Sequence, residues 1–129
     1  MVDITALDGS LLHVCDEAIT MVTGGEPGDD APRAYVTGPA PARIPVREGP
    51  ARLVARLRTT KLLAPLTRLD GTPLWIAAGA VTLLRQPVAG ESPPGAGARA
   101  MICLGPAYEA VRETVEQAHD IITRHGGRL

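Results

Sequence analysis

The chain has 129 residues, 45% of them hydrophobic, which is enough for one domain or for two very small domains that share a core. A net charge of -1 excludes the strong overall basic balance that draws proteins to nucleic acid or to anionic membranes. Aromatic residues make up 2% and Phe is absent, so Leu, Val, Ile and Ala must build the core.

The two cysteines, Cys15 and Cys103, are too few for a disulfide framework. We predict two buried free thiols, with a single bridge as the alternative. The chain opens without a basic and apolar leader, and its longest apolar run, from Leu74 to Leu84, is shorter than the roughly 20 residues of a membrane-spanning helix. These features predict a soluble protein that is cytoplasmic or part of a virion-like particle.

The first third of the chain predicts a β-hairpin and then further strands. Asp3 to Leu7 alternates and leads into Asp8-Gly9, a pair that predicts a type I′ turn with positive φ at both central residues. The returning strand carries Leu12 and Val14 on one face. Strands are also predicted at 19–23, 34–37 and 43–47, with a Gly/Pro-rich loop at 24–32. Pro45 has no N–H, so 43–47 is expected at a sheet edge.

A helix is predicted over about residues 50–58, because Gly49-Pro50 places a proline in its first turn. Its buried stripe is predicted to be Leu53, Val54 and Leu57. The only basic run of the chain lies on or near the other side, as Arg52, Arg56, Arg58 and Lys61. This run is either a surface for nucleic acid or another partner, or a solvated helix face. The second is favoured because no aromatic stacking residue accompanies the charges.

A connection at 59–65 is predicted to join a second series of elements. Strands are expected near 65–69, 74–77, 80–85, 99–104 and 108–112, with a turn at Asp70-Gly71 and a Pro/Gly-rich, mobile loop at 86–97. A final helix over about 114–125 begins with a capping box formed by Thr114 and Gln117. Its apolar side carries Val115, Ala118, Ile121 and Ile122, and Gly126-Gly127 ends it.

The two series are an internal repeat. When residues 4–24 are laid on 66–86 without a gap, 7 of 21 positions are identical and most apolar positions coincide. The identical pairs are Thr5/Thr67, Leu7/Leu69, Asp8/Asp70, Gly9/Gly71, Leu12/Leu74, Ala18/Ala80 and Thr20/Thr82. Later in the chain Val46-Arg47-Glu48 matches Val111-Arg112-Glu113. We interpret the chain as a tandem duplication, with residues 1–58 as the first copy and 66–129 as the second.

No set of residues predicts catalysis, a cofactor or a metal site. Asp8 and Asp70 recur, but hairpin turns explain both, as they explain Gly9 and Gly71. Asp29-Asp30 lacks further oxygen ligands at a suitable spacing for a cation and is predicted to be a solvated loop tip. A metal site on the last helix could draw two ligands from Glu116, His119 and His125, but the remaining ligands are missing. Cys15 is replaced by Ala77 at the equivalent position of the second copy. The protein is therefore predicted not to be an enzyme.

The order of features resembles the small FlbD family of flagellum-associated proteins, also called the swarming motility protein family. Residues 66–71, Leu-Thr-Arg-Leu-Asp-Gly, are similar to the family's opening strand, and Leu74, Ile76 and Val81 to its second strand and Ile-centred segment. Val111-Arg112-Glu113-Thr114 is similar to its ending before a short helix. The first copy resembles the family more loosely. Where the family has Asn after the second strand, this chain has Cys15 and Ala77.

The resemblance implies support of flagellar motility through protein contacts, and the fusion of two units departs from single-unit family members. We expect an α+β protein of two mostly antiparallel β modules, each ending in a helix and packed with pseudo-two-fold symmetry. Two independent domains are the alternative. The expected function is that of a structural or adaptor protein. A component of a phage or gene-transfer particle, or a small nucleic-acid-binding regulator that uses the basic helix, is the alternative.

Overall fold

The computed structural model describes residues 2–57, 62–91, 95, 97–105 and 107–129. Over these residues the protein is a mixed α+β structure of ten strands and two helices, as the sequence predicts. The chain divides into two compact units, Met1–Leu63 and Ala64–Leu129. Each unit carries strands and one helix.

The first unit begins with a hairpin of β1 (Val2–Thr5) and β2 (Leu11–Val14), followed by a 3-10 turn at Asp16–Ala18. An antiparallel sheet of β3 (Met21–Gly24), β4 (Ala34–Thr37) and β5 (Ile44–Val46) follows. β5 lies at the end of its sheet, so the prediction that Pro45 occupies an edge strand is confirmed.

Helix α1 (Pro50–Leu57) closes the first unit and packs against β3. Its predicted stripe of Leu53, Val54 and Leu57 is buried, and residue 58 lies outside the described part of the chain. Alternation along β4 buries Ala34 and Val36 on one face, which is the pattern of a half-buried strand.

The second unit has the same order of elements. β6 (Leu63–Thr67) and β7 (Pro73–Ala77) are neighbours and are followed by a 3-10 turn at Ala78–Ala80. An antiparallel sheet of β8 (Leu83–Arg85), β9 (Ala100–Leu104) and β10 (Ala107–Val111) comes next. Helix α2 (Val115–Arg124) packs on β8 and β9.

The start and the end of α2 follow the sequence signals. The Gln117 backbone N–H donates to Thr114 Oγ1 at 3.1 Å, and Gln117 Oε1 accepts from the Thr114 N–H at 3.0 Å, which confirms the capping box. Ala118 and Ile122 are buried, whereas Val115 and Ile121 are half-buried. Gly126 takes a φ of 91° directly after the last turn, a conformation that glycine adopts without strain.

The predicted type I′ turn at Asp8-Gly9 is wrong. Gly9 and Gly71 have φ of 91° and 89°, but no other residue type in the described part of the chain has positive φ. The Ala6 carbonyl accepts from the Gly9 N–H, and the Ala6 N–H donates to the Ser10 carbonyl, so the loop has three residues and ends in a bulge glycine. Arg68 and Thr72 repeat these bonds around Gly71. An Asp-Gly pair is compatible with a type I′ turn and with a three-residue loop that ends in a bulge glycine. The two differ in how the flanking residues pair.

Several strand boundaries also differ from the prediction. β3 begins at Met21 instead of Ile19, and β8 begins at Leu83 because Ala80 belongs to a 3-10 turn. β6 begins at Leu63, inside the predicted connection at 59–65, of which residues 59–61 lie outside the described residues. Pro65 is tolerated in β6 because this strand ends its sheet.

Within the described residues, no helix is long and apolar enough to cross a membrane.

Candidate interaction surface

The aspartates of the two hairpins are engaged by their own turns. Asp8 Oδ1 accepts from the Ser10 N–H at 2.9 Å and from the Ser10 hydroxyl at 2.5 Å, and these bonds hold the pKa of Asp8 below its usual value. Asp70 accepts the same pair of bonds from Thr72, with the same lowering of its pKa. Each carboxylate therefore stabilises a loop that Gly9 or Gly71 completes.

An arginine braces each hairpin from the residue that follows the last strand of its unit. Arg47 Nε donates to the Leu7 carbonyl at 2.9 Å, while Arg112 Nη2 donates to the Leu69 carbonyl at 2.6 Å. Their backbone N–H groups donate to the carbonyls of Thr5 and Thr67. These roles of the two arginines were not predicted from the sequence. The matching Val-Arg-Glu triplets of the two copies were the pattern that could have indicated them.

The predicted basic surface on α1 is partly occupied by internal contacts. Arg56 Nη1 lies 2.6 Å from Glu48 Oε1 and 2.7 Å from Oε2, and Arg56 Nη2 also donates to the Asp3 carbonyl. Arg52 is exposed, and Arg58 and Lys61 lie outside the described residues. Arg56 therefore ties α1 to β1 and to the segment before the helix, and this contact uses the donors that a phosphate would need.

The prediction that both cysteines are buried is wrong. Cys15 is exposed and Cys103 is half-buried, and both are free thiols. Cys15 lies between β2 and a 3-10 turn, whereas Cys103 lies on β9.

The histidines do not come together in a ligand cluster. His119 is exposed on α2, and His125 Nδ1 lies 2.7 Å from the Ile121 carbonyl oxygen. In the part of the chain that the structure describes, no group of three or more His, Cys, Asp or Glu side chains could hold a metal ion.

A row of three side chains crosses the sheet of the second unit. The strand register places Cys103 opposite both Leu83 on β8 and Tyr108 on β10. Directly opposite residues project from the same face of a sheet, so these three side chains form one row, which we call the outer row. Leu83 is 47% exposed and Tyr108 is 64% exposed. A large aliphatic and a large aromatic side chain thus flank a half-buried thiol.

The first unit does not repeat this exposed row. Met21 occupies the position of the repeat that Leu83 occupies in the second unit, and Met21 is 7% exposed. Its partner in the sheet is Thr37, a polar residue. The exposed apolar row therefore distinguishes the second unit from the first.

A groove lies beside the outer row, between β8 and α2, with a volume of about 410 Å³. Most of its lining is apolar. We define this edge groove by six lining residues: Leu83, Leu84, Val115, Glu116, His119 and Leu129. Leu129, at 40% exposure, adds a third exposed large apolar side chain to this side of the unit.

An ion pair fixes the end of β8 next to the groove. Arg85 Nη1 and Nη2 donate to Glu91 Oε1 and Oε2 at 2.5 and 2.6 Å, and the Val88 N–H donates to Glu91 Oε1 at 2.6 Å. The Arg85 guanidinium lowers the pKa of Glu91 to about 2. The 86–91 segment is thereby held against the strand, and the charge of Arg85 is neutralised locally.

Comparison of the chain with protein-family profiles, with curated proteins and with solved structures gives no match.

Proposed function

We propose that the protein is a non-enzymatic adaptor that acts through protein–protein contacts made by the second unit. The observation that carries the proposal is the outer row, in which the exposed side chains of Leu83 and Tyr108 lie on either side of Cys103. Large apolar side chains that lie together on a surface mark binding sites more often than single ones do. Tyrosine is also enriched in protein interfaces, because its ring is apolar and its hydroxyl can remain hydrated.

The proposal includes a finer architecture, in which the chain is a tandem duplication whose copies pack around a pseudo-two-fold axis. Three observations support it. Both units have the same order of elements, Gly9 and Gly71 end matching hairpin loops, and Arg47 and Arg112 brace those hairpins with matching bonds. Duplication leaves one copy free to change its surface while the other keeps it. The contrast between Leu83 and Met21 fits this division of roles.

The resemblance of residues 66–71 and 111–114 to the FlbD family supports a flagellar setting for the adaptor. A phage or gene-transfer particle is the alternative setting for a β module of this kind. Neighbouring genes that encode flagellar parts would favour the first, and neighbouring capsid or tail genes would favour the second.

Photo-crosslinking from a single surface position tests the proposed function. A benzophenone amino acid replaces Tyr108 in the full chain, and the variant is irradiated in the source cells. The matched control carries the same group at Leu11, which is 57% exposed on β2 of the first unit. We expect Tyr108 to yield discrete adducts with a protein that the Leu11 position does not capture. Equal adduct patterns at both positions, or none at Tyr108, would contradict the proposal.

A further inference from the structure

The edge groove follows the open side of a strand. Leu83 and Leu84 are consecutive in β8, and consecutive strand residues project to opposite faces of a sheet. A groove lined by both reaches the edge of the strand, and residues of α2 form its other wall. β8 is at the end of its sheet, and no strand lies beyond it in that sheet among the described residues.

An edge strand presents backbone N–H and C=O groups that can pair with another extended chain. Proteins often protect such edges with an inward-pointing charge, a proline or a bulge. β8 has a single charged residue, Arg85, whose guanidinium is engaged by both oxygens of Glu91. The remaining two residues of the strand are leucines. The edge is thus apolar and is not protected by a free cation of its own.

The charge of the groove selects among partners. Glu116 is the one acidic side chain among the residues that line it, and this carboxylate is exposed in the first turn of α2. Asp120 lies one turn further along the helix and is paired with Arg124 at 2.8 Å. Because Arg85 is neutralised by Glu91, Glu116 supplies the formal negative charge among the residues that line the groove. A basic side chain on the partner would therefore complement the lining, and an acidic one would be repelled.

We infer that the edge groove binds an extended apolar segment of a partner protein, which adds as a strand to β8 and places a Lys or Arg side chain beside Glu116. Main-chain hydrogen bonds to β8 would give this contact its direction, and the apolar lining would receive alternate side chains of the segment. With β8 only three residues long, the contact is small, and we expect dissociation constants of about 10 μM or weaker for isolated peptides. This inference rests on the proposed adaptor function and names the chemistry of its partner.

The test selects peptides from a random ten-residue display library on the purified full chain. We expect enrichment of segments that alternate apolar residues and carry Lys or Arg. The same selection on Glu116→Lys should favour Asp or Glu instead, with the affinity of a basic peptide reduced about three- to tenfold. The matched control is Glu17→Lys, a charge reversal at an exposed residue of the first unit that should leave the selection unchanged.

Amide chemical shifts locate the bound peptide. We expect the largest changes at Thr82 to Arg85, and their loss in Leu83→Asp with the far-UV circular dichroism of the chain preserved. Three outcomes would overturn the inference: enriched peptides without a basic residue, a peptide that binds as a helix, or self-association of the chain that Leu83→Asp abolishes. The last result would make a second copy the occupant. Crosslinks from Tyr108 in cells that persist when no peptide binds β8 would retain the adaptor function and refute only this inference.

Discussion

Glu91 fixes the end of β8 through three hydrogen bonds. Both of its carboxylate oxygens accept from Arg85, and one also accepts from the Val88 N–H. The Glu91 carboxyl group loses its proton more easily here than in an unfolded chain, so its pKa falls from 4.5 to about 2. A depressed acidic pKa contributes stability above the unfolded pKa, and this contribution disappears as the pH falls through the folded value.

Glu91→Gln should therefore lower the thermal midpoint at pH 7, and the difference from the native chain should shrink between about pH 5 and pH 2. Thermal unfolding followed by circular dichroism across this range measures the effect. A difference that stays constant down to pH 2 would show that the ion pair is not its source. Glu26→Gln, which removes an exposed loop carboxylate of the first unit, serves as the control.

Gly71 is a second residue whose substitution has a predictable direction. Its φ of 89° lies in the region that side chains with a Cβ rarely adopt, and an added Cβ would lie 3.4 Å from Arg112 Nη1. Gly71→Ala should lower the free energy of unfolding by about 1–2 kcal/mol in urea titrations. Gly79→Ala is the matched control, since Gly79 has no positive φ and open space around its Cβ position, and it should change stability by no more than about 0.5 kcal/mol. Equal effects of the two substitutions would refute this explanation.

At the scale of the element, α2 begins at a reciprocal pair of hydrogen bonds between Thr114 and Gln117. Thr114→Ala removes the acceptor for an otherwise unpaired helix N–H and should cost about 1 kcal/mol of unfolding free energy. Thr123 lies in the same helix, but its hydroxyl bonds back to the carbonyls of His119 and Asp120. Thr123→Ala should be neutral or slightly stabilising, because this kind of bond competes with the helix. The reverse order of the two effects in chemical denaturation would contradict the capping assignment.

The elements also show what sequence could and could not predict. The capping box at Thr114 and the buried stripe of α1 depend on neighbours three or four residues apart, so local patterns were sufficient. The turn type of the loop that ends at Gly71 depends on which residues of β6 and β7 pair. The Asp-Gly dipeptide alone does not determine that pairing. The outer row was out of reach for the same reason, because it needs the register of β8 and β9 across a long loop. The position of Cys103 opposite Leu83 follows from that register as well.

For the whole molecule, the proposed shared core predicts cooperative unfolding of the two units. Trp75 is the only tryptophan and lies on β7, so its fluorescence reports the unfolding of that strand. Leu53 is fully buried in the first unit, and Leu53→Ala should lower the unfolding free energy by about 2–5 kcal/mol. With a shared core, the Trp75 transition should shift with the circular dichroism transition. A Trp75 midpoint that does not change would instead indicate two independent domains.

The central claim is that the second unit recruits a partner through its outer row and edge groove. Quantitative mass spectrometry of proteins recovered from source cells with three full-length baits tests it most directly: the native chain, a Leu83→Asp/Tyr108→Asp double variant, and Leu11→Asp. We predict a partner that the native chain and Leu11→Asp recover alike and that the double variant loses by about tenfold or more, as expected for the loss of two apolar anchors. Recovery of the same proteins by all three folded baits would contradict the claim.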